Sequence, residues 1–279
     1  SLQLIDSEVV IPDRPVMVKP NFVSTSNQLA ATHVDTTRAT LEYLSGKGVS
    51  EFIIAVGPAI GTPDSGFDTS GYRDLANDFN LEFMDLHPDA RLPVPAFDDQ
   101  LNPQTLYMSK RLSESYVVSV CPMKTHNNVV VTLGLKNILV GTLSGVEQKQ
   151  KIHKGSKAIN LTLAKMAQHV APDLTVIDGT IGVQGDGPVG GYEMPSNVVL
   201  ASHHAIAADV VGLQVMGYSL DQVGYLRYAM QLRSLTLDDL EIVGSSIDDV
   251  RVSYADHSDI VEQLTWPLKE DWQTVFHQG

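Results

Sequence analysis

Lys124 and His126 stand two residues apart in Cys121-Pro-Met-Lys-Thr-His126, so on an extended chain their side chains project to the same side. An ammonium beside an imidazole can hold an anion and exchange a proton with it. Ten residues further on, Lys136-Asn137 is embedded among Leu133, Leu135, Ile138 and Leu139. Burial there lowers a lysine's pKa and suits it to proton transfer or imine formation; the plainer reading is a lysine that snorkels to solvent. Asp178 follows the apolar run Leu174–Ile177 and is a base, a metal ligand or a partner for a lysine. These patterns make His126, Lys136 and Asp178 the candidate catalytic residues. Asn21, Lys124, Asn137, Gly185 and Gly187 are the candidate substrate-binding residues.

Geometry sets a condition on this grouping. If Val129–Val140 were one straight helix, Lys136 would lie about 12 Å beyond Asn128 and could not share a small ligand with His126. A break at Gly134 would remove the difficulty. Asn127 and Asn128 are read as caps for a helix start, whose unpaired N–H groups would also face an anion.

The elements that must position these residues alternate between two periods. Val16–Lys19, Glu51–Val56, Leu81–Leu86, Ser115–Val120, Leu174–Ile177, Asn197–Leu200 and Glu241–Val243 read as strands. Val34–Leu44, Tyr72–Phe79, Ala158–Val170, Ala205–Met216 and Leu220–Leu232 read as helices. Four prolines between 87 and 103 predict an irregular segment there. Strands alternating with helices imply an α/β fold with a largely parallel, mixed sheet flanked by helices, and a ligand cleft at the strand carboxyl ends. Residues 1–279 read as a single α/β domain with a basic flap at 142–157.

The charge pattern says what would enter the cleft. Seven of the eleven lysines fall between Lys124 and Lys165, where Glu147 is the one acidic residue, in a chain whose net charge is −14. Such a basic island attracts anions. It holds no arginine and no aromatic residue beyond histidine, and so lacks the stacking platforms and bidentate forks of nucleic-acid surfaces. The acidic remainder argues against nucleic acid or an anionic membrane as partner. A mean hydropathy of −0.01 and the absence of a long apolar run give no membrane span. One cysteine, Cys121, excludes a disulfide framework and a cysteine-ligated cluster and fits a cytoplasmic location. Gly185-Asp-Gly187-Pro-Val-Gly190 spells a dinucleotide pattern, but a strand follows where a helix is needed, so no cofactor is identified. His203-His204 are metal ligands or helix caps, without the spacing of a known zinc site.

Several stretches together resemble the family called domain of unknown function 362. They include Val18-Lys19-Pro-Asn21, Pro122-Met-Lys124-Thr-His126, Thr132-Leu-Gly-Leu-Lys136-Asn137 and Pro172 to Gly179, with Gly185-Asp-Gly187-Pro188 and Ala207-Ala-Asp209 further on. The resemblance gives added weight to Lys124, His126, Lys136, Asn137, Asp178 and Asp209. It also implies redox associations, since some members look fused to ferredoxin-like clusters, for which this chain lacks the cysteines. His204 stands where the family pattern leads us to expect a carboxylate.

Three functions fit. The first is an enzyme acting on a small phosphate- or carboxylate-bearing substrate by acid–base chemistry. The second is a redox-associated accessory module docking an acidic protein through the Lys149–Lys157 loop. The third is a metal-dependent hydrolase or lyase using His126, Asp178 and His153.

Overall fold

The computed structural model describes residues 1–268 and 271–278. Ten strands are formed: β1 Val16–Pro20, β2 Glu51–Val56, β3 Asn80–Asp85, β4 Arg91–Phe97, β5 Pro103–Ser109, β6 Tyr116–His126, β7 Val130–Thr132, β8 Leu174–Gln184, β9 Tyr192–Met194 and β10 Val198–Ser202. The main sheet runs β10-β8-β6-β1-β2-β3. Within it β8, β6, β1, β2 and β3 are parallel, and β10 is antiparallel at one edge. β7 returns antiparallel on the end of β6, and β9 does the same on β8. The fold is α/β with a mixed, mostly parallel sheet.

Helices cover both faces because the strands are apolar on both. Val16, Val18, Phe52, Ile54, Val56, Val118, Val120 and Val176 pack on one face with Leu41 and Leu44 of α1, Val34–Gly46. The alternate residues Met17, Ile53, Ala55, Val117, Cys121 and Ile177 pack on the other. This alternation is the period-2 signature of strands buried from both sides. In chain order the next helices are α2 Pro63–Thr69, α3 Arg111–Glu114, α4 Gly134–Gly141, α5 Val146–Ile152, α6 Ser156–Met166, α7 Ala205–Val215 and α8 Gly224–Leu232. α4, α6 and α7 supply the second face through Leu135, Ile138, Leu163, Val210 and Leu213.

Three readings need correction. The proline-rich segment is a regular β4–β5 hairpin, with Pro93 opposite Tyr107 and Pro95 opposite Thr105. Two prolines spaced by two put both missing donors on the unpaired side of the strand, where no ladder bond is lost. Glu241–Val243 is not a strand. Asn127-Asn128 is the turn between β6 and β7, not a helix start. The open question over Val129–Val140 is settled by a break: β7 ends at Thr132 and α4 begins at Gly134.

Candidate functional site

The order of the sheet fixes where a ligand would sit. From β1 the chain moves outward to β2 and β3, then returns to the other flank of β1 as β6 and continues to β8. The reversal lies between β1 and β6, and a crevice opens beyond the carboxyl ends of strands at such a point. A cavity of about 50 Å³ lies there, lined by Lys19 and Asn21 from the end of β1, Lys124 and His126 from β6, and Lys136 and Asn137 from α4. Gly57 after β2, Gly141, Pro188 and Lys149 of α5 complete the wall. A water needs about 10–15 Å³ by this measure, so the space suits a few waters or one small oxyanion.

Four lysines turn into this cavity and are almost fully buried: Lys19 and Lys124 are 1% exposed, Lys136 5% and Lys149 6%. Among the described residues none of these four has a carboxylate partner, whereas Lys47 and Lys110 do. Lys19 Nζ donates to the Pro20 carbonyl at 3.1 Å and to Asn137 Oδ1 at 2.9 Å. Lys124 Nζ donates to Asn21 Oδ1 and the Ala30 carbonyl, both at 2.7 Å. Lys149 Nζ donates to the Gly57 carbonyl. Lys136 Nζ lies 2.8 Å from His126 Nε2.

Burial is the main reason that these amines hold their protons weakly. Lys19, Lys124 and Lys136 are pulled down to about 7 and Lys149 to about 8. Neighbouring ammonium charges add to the effect at Lys19 and Lys136. Burial first, then Lys136, holds His126 well below the usual histidine range. His153 stacks on His126 at 5.9 Å between ring centroids and is pulled down to about 4 by burial.

The sign of the resulting pH dependence is fixed. An unfolded lysine keeps its proton to about 10.5, whereas these release theirs from about 7 upward in the folded chain. Between those values the unfolded state binds more protons, so stability rises with pH. Urea denaturation at pH 7 and pH 9 is expected to show the higher midpoint at pH 9. Saturating phosphate should narrow the gap, because a bound anion returns the lysines' protons.

Two amides connect the cations. Asn21 donates through Nδ2 to Asn137 Oδ1 at 3.0 Å while its own Oδ1 receives Lys124. Asn137 Nδ2 donates to the Lys19 carbonyl at 3.1 Å and to Ser119 Oγ at 3.0 Å, joining α4 to β1 and β6. α4 itself is capped from outside: Asp209 of α7 receives Gly134 N–H at 2.8 Å and Leu135 N–H at 3.0 Å. Burial pushes the Asp209 carboxyl up to about 7 against these stabilising donors. Gly134 allows this approach, since a Cβ there would lie 2.2 Å from Thr175 Cγ2. Gly134→Ala is therefore expected to cost about 1–3 kcal/mol by overpacking, read from a denaturation curve.

The structure thus brings together Asn21, Lys124, His126, Lys136 and Asn137. The break at Gly134 met the geometric condition that Lys136 required. Asp178 is elsewhere: its carboxylate receives Thr36 Oγ1 and Thr180 N–H, and it does not line the cavity. Gly185 and Gly187 support the wall from behind. Gly185 O receives Thr125 Oγ1, and a Cβ on Gly187 would meet the Thr125 carbonyl at 2.4 Å. His204 Nδ1 caps α7 by receiving Ala207 N–H. Among the described residues no three His, Cys, Asp or Glu side chains gather as a metal site, so His126, Asp178 and His153 do not form the expected ligand set.

Lys19 and Lys149 are the site residues that sequence reasoning missed. The flap at 142–157 is helical in its middle, and α5 turns Lys149 inward, leaving Lys151, Lys154 and Lys157 exposed. No sequence signal marked either lysine; the structure shows that glycine makes room for them, since a Cβ on Gly141 would lie 2.6 Å from Lys19 Nζ and one on Gly57 would lie 3.4 Å from Lys149 Nζ.

Residues 16–214 match the family described as Domain of unknown function (DUF362), and the chain belongs to that family. It is also similar to the thylakoid-associated protein sll1697 of Synechocystis sp. (strain ATCC 27184 / PCC 6803 / Kazusa). The two are 26% identical over 209 residues, covering 72% of this chain and 63% of the relative, so the match spans less than two thirds of that protein. No helix among the described residues is long and apolar enough to cross a membrane.

Proposed function

We propose that this chain is an enzyme that binds a small phosphate- or carboxylate-bearing substrate in the β1–β6 crevice and acts on it by acid–base chemistry. The observation that carries the proposal is the convergence of Lys19, Lys124, Lys136 and Lys149, buried and without a carboxylate, on one small cavity. Burying an uncompensated ammonium is costly, so these amines hold their protons weakly while the site is empty, and an anion that completes the site would stabilise the charged form of those that bind it. Three of them would hold the anion, while His126 and Lys136, in contact with each other, would move the proton. Perturbed groups gathered in a crevice favour catalysis over a purely structural role. Native mass spectrometry of untagged, gently purified protein is expected to show a retained anion. A clean apo mass, unchanged by added phosphate, would oppose the proposal.

The redox-associated docking reading keeps one specific support, the exposed Lys151, Lys154 and Lys157 beside the cavity. Reversing those three charges would abolish binding to an acidic partner on that reading, and would leave phosphate binding nearly unchanged on ours. A cytoplasmic location is our expectation from the single, buried Cys121. The name of the Synechocystis relative suggests association with thylakoids as the alternative, and cell fractionation separates the two.

A further inference from the structure

Building on the anion site proposed above, we infer that Lys136 is a neutral amine that condenses with the carbonyl carbon of a small oxo acid or oxo phosphate ester. The anionic end of that molecule would be held by Lys19, Lys124 and Lys149.

Proton accounting around His126 carries the inference. His126 Nδ1 receives the Asn128 N–H at 3.0 Å and so bears no proton. A neutral imidazole has one N–H, which must then sit on Nε2. Nε2 is 2.8 Å from Lys136 Nζ. Two donors cannot share that contact, so Nζ receives the proton's hydrogen bond through a lone pair, which a lysine has only as the free amine.

The other three lysines differ in kind. Lys19, Lys124 and Lys149 each donate to carbonyl or amide oxygens, the partners of an ammonium, and Lys149 does so while also lying 3.3 Å from His87 Nε2. Among the described residues Lys136 Nζ meets no oxygen acceptor, only the imidazole. Burial lowers Lys136 to about 7, as it does Lys19 and Lys124, so the contact geometry and not the shift sets Lys136 apart; burial also keeps His126 unprotonated. A cavity of about 50 Å³ then restricts the partner to a molecule of few carbons.

The chemistry balances without an oxidant or reductant. The Nζ lone pair forms a C–N bond as the carbonyl π bond breaks. His126 Nε2 gives its proton to the carbonyl oxygen and recovers one from Nζ, leaving a carbinolamine. Loss of that hydroxyl with the remaining Nζ proton gives the imine and one water. An imine so held makes the neighbouring carbon acidic, as in other lysine-based carbonyl chemistry.

The test treats full-length protein at pH 8 with pyruvate, or separately with dihydroxyacetone phosphate, in the presence of cyanoborohydride. Intact mass and peptide mapping follow, with phosphate binding measured on the same preparation. One reduced adduct at Lys136, formed well before any at Lys151, Lys154 or Lys157, is the expected result, and the arm that yields it names the anionic group. Lys136→Arg and Lys136→Met should abolish the adduct, and His126→Asn should slow its formation about a hundredfold. The wild-type peptide map decides the matter even if a variant fails to fold. Bound phosphate with no adduct from either probe, or with adducts only on surface lysines, overturns the imine inference and leaves the anion site standing. No phosphate binding and no adduct overturns both.

Discussion

Lys124→Met is expected to weaken phosphate binding by about 10- to 150-fold, the equivalent of one charge-assisted hydrogen bond of about 1.5–3 kcal/mol. Stability should scarcely fall. The ammonium is buried at the end of β6 without a carboxylate, so its removal relieves a desolvation cost. Against that relief stand the Asn21 and Ala30 oxygens, which lose their donor. The two effects oppose each other, each about 1–3 kcal/mol, so the denaturation midpoint should move little. A purely structural lysine behaves in the opposite way, with stability lost and no ligand affected. Isothermal calorimetry with phosphate and urea denaturation, run on the same variant, distinguish the two.

The second large effect is expected at a residue that never touches the cavity. Asp209→Ala removes the side chain that caps α4 and strands the Gly134 and Leu135 N–H groups in the interior. Two buried donors left unpaired cost about 2–4 kcal/mol in sum. The loss should also reach the ligand, because α4 carries both Lys136 and Asn137 into the site. Asp209→Asn keeps one acceptor oxygen and should recover part of the stability. Equal stability of the alanine variant and the wild type in urea would show that the cap does not hold α4.

The core of this site could be read from the chain because it rests on short-range geometry. Lys124 and His126 share a side for the reason any residues i and i+2 of a strand do, and both line the cavity. Lys136-Asn137 stood out because polar residues inside an apolar run need partners. The rest depended on contacts between distant segments. Lys149 sits in a run of lysines that looks solvated throughout, and only the packing of α5 selects the one that turns inward. Asp178 reads in sequence as a strand-end carboxylate, yet it lies within β8 and bonds Thr36 of α1, 142 residues away in sequence. Asp209 was singled out by the family resemblance, but its role as a cap on another helix was not legible, since Gly134 is 75 residues distant. The β4–β5 hairpin was hidden by proline, whose usual reading as a strand breaker fails when the missing donors fall on an unpaired edge.

The most direct measurement is calorimetric titration of wild-type protein with inorganic phosphate at pH 8, in two buffers of different ionisation enthalpy. Lysines that hold their protons weakly when empty must regain them when an anion arrives. Saturable binding with net proton uptake, sharply reduced in Lys124→Met, is the expected result. Heats no larger than those of the variant, with no proton uptake in either buffer, would contradict an anion site at the β1–β6 crevice.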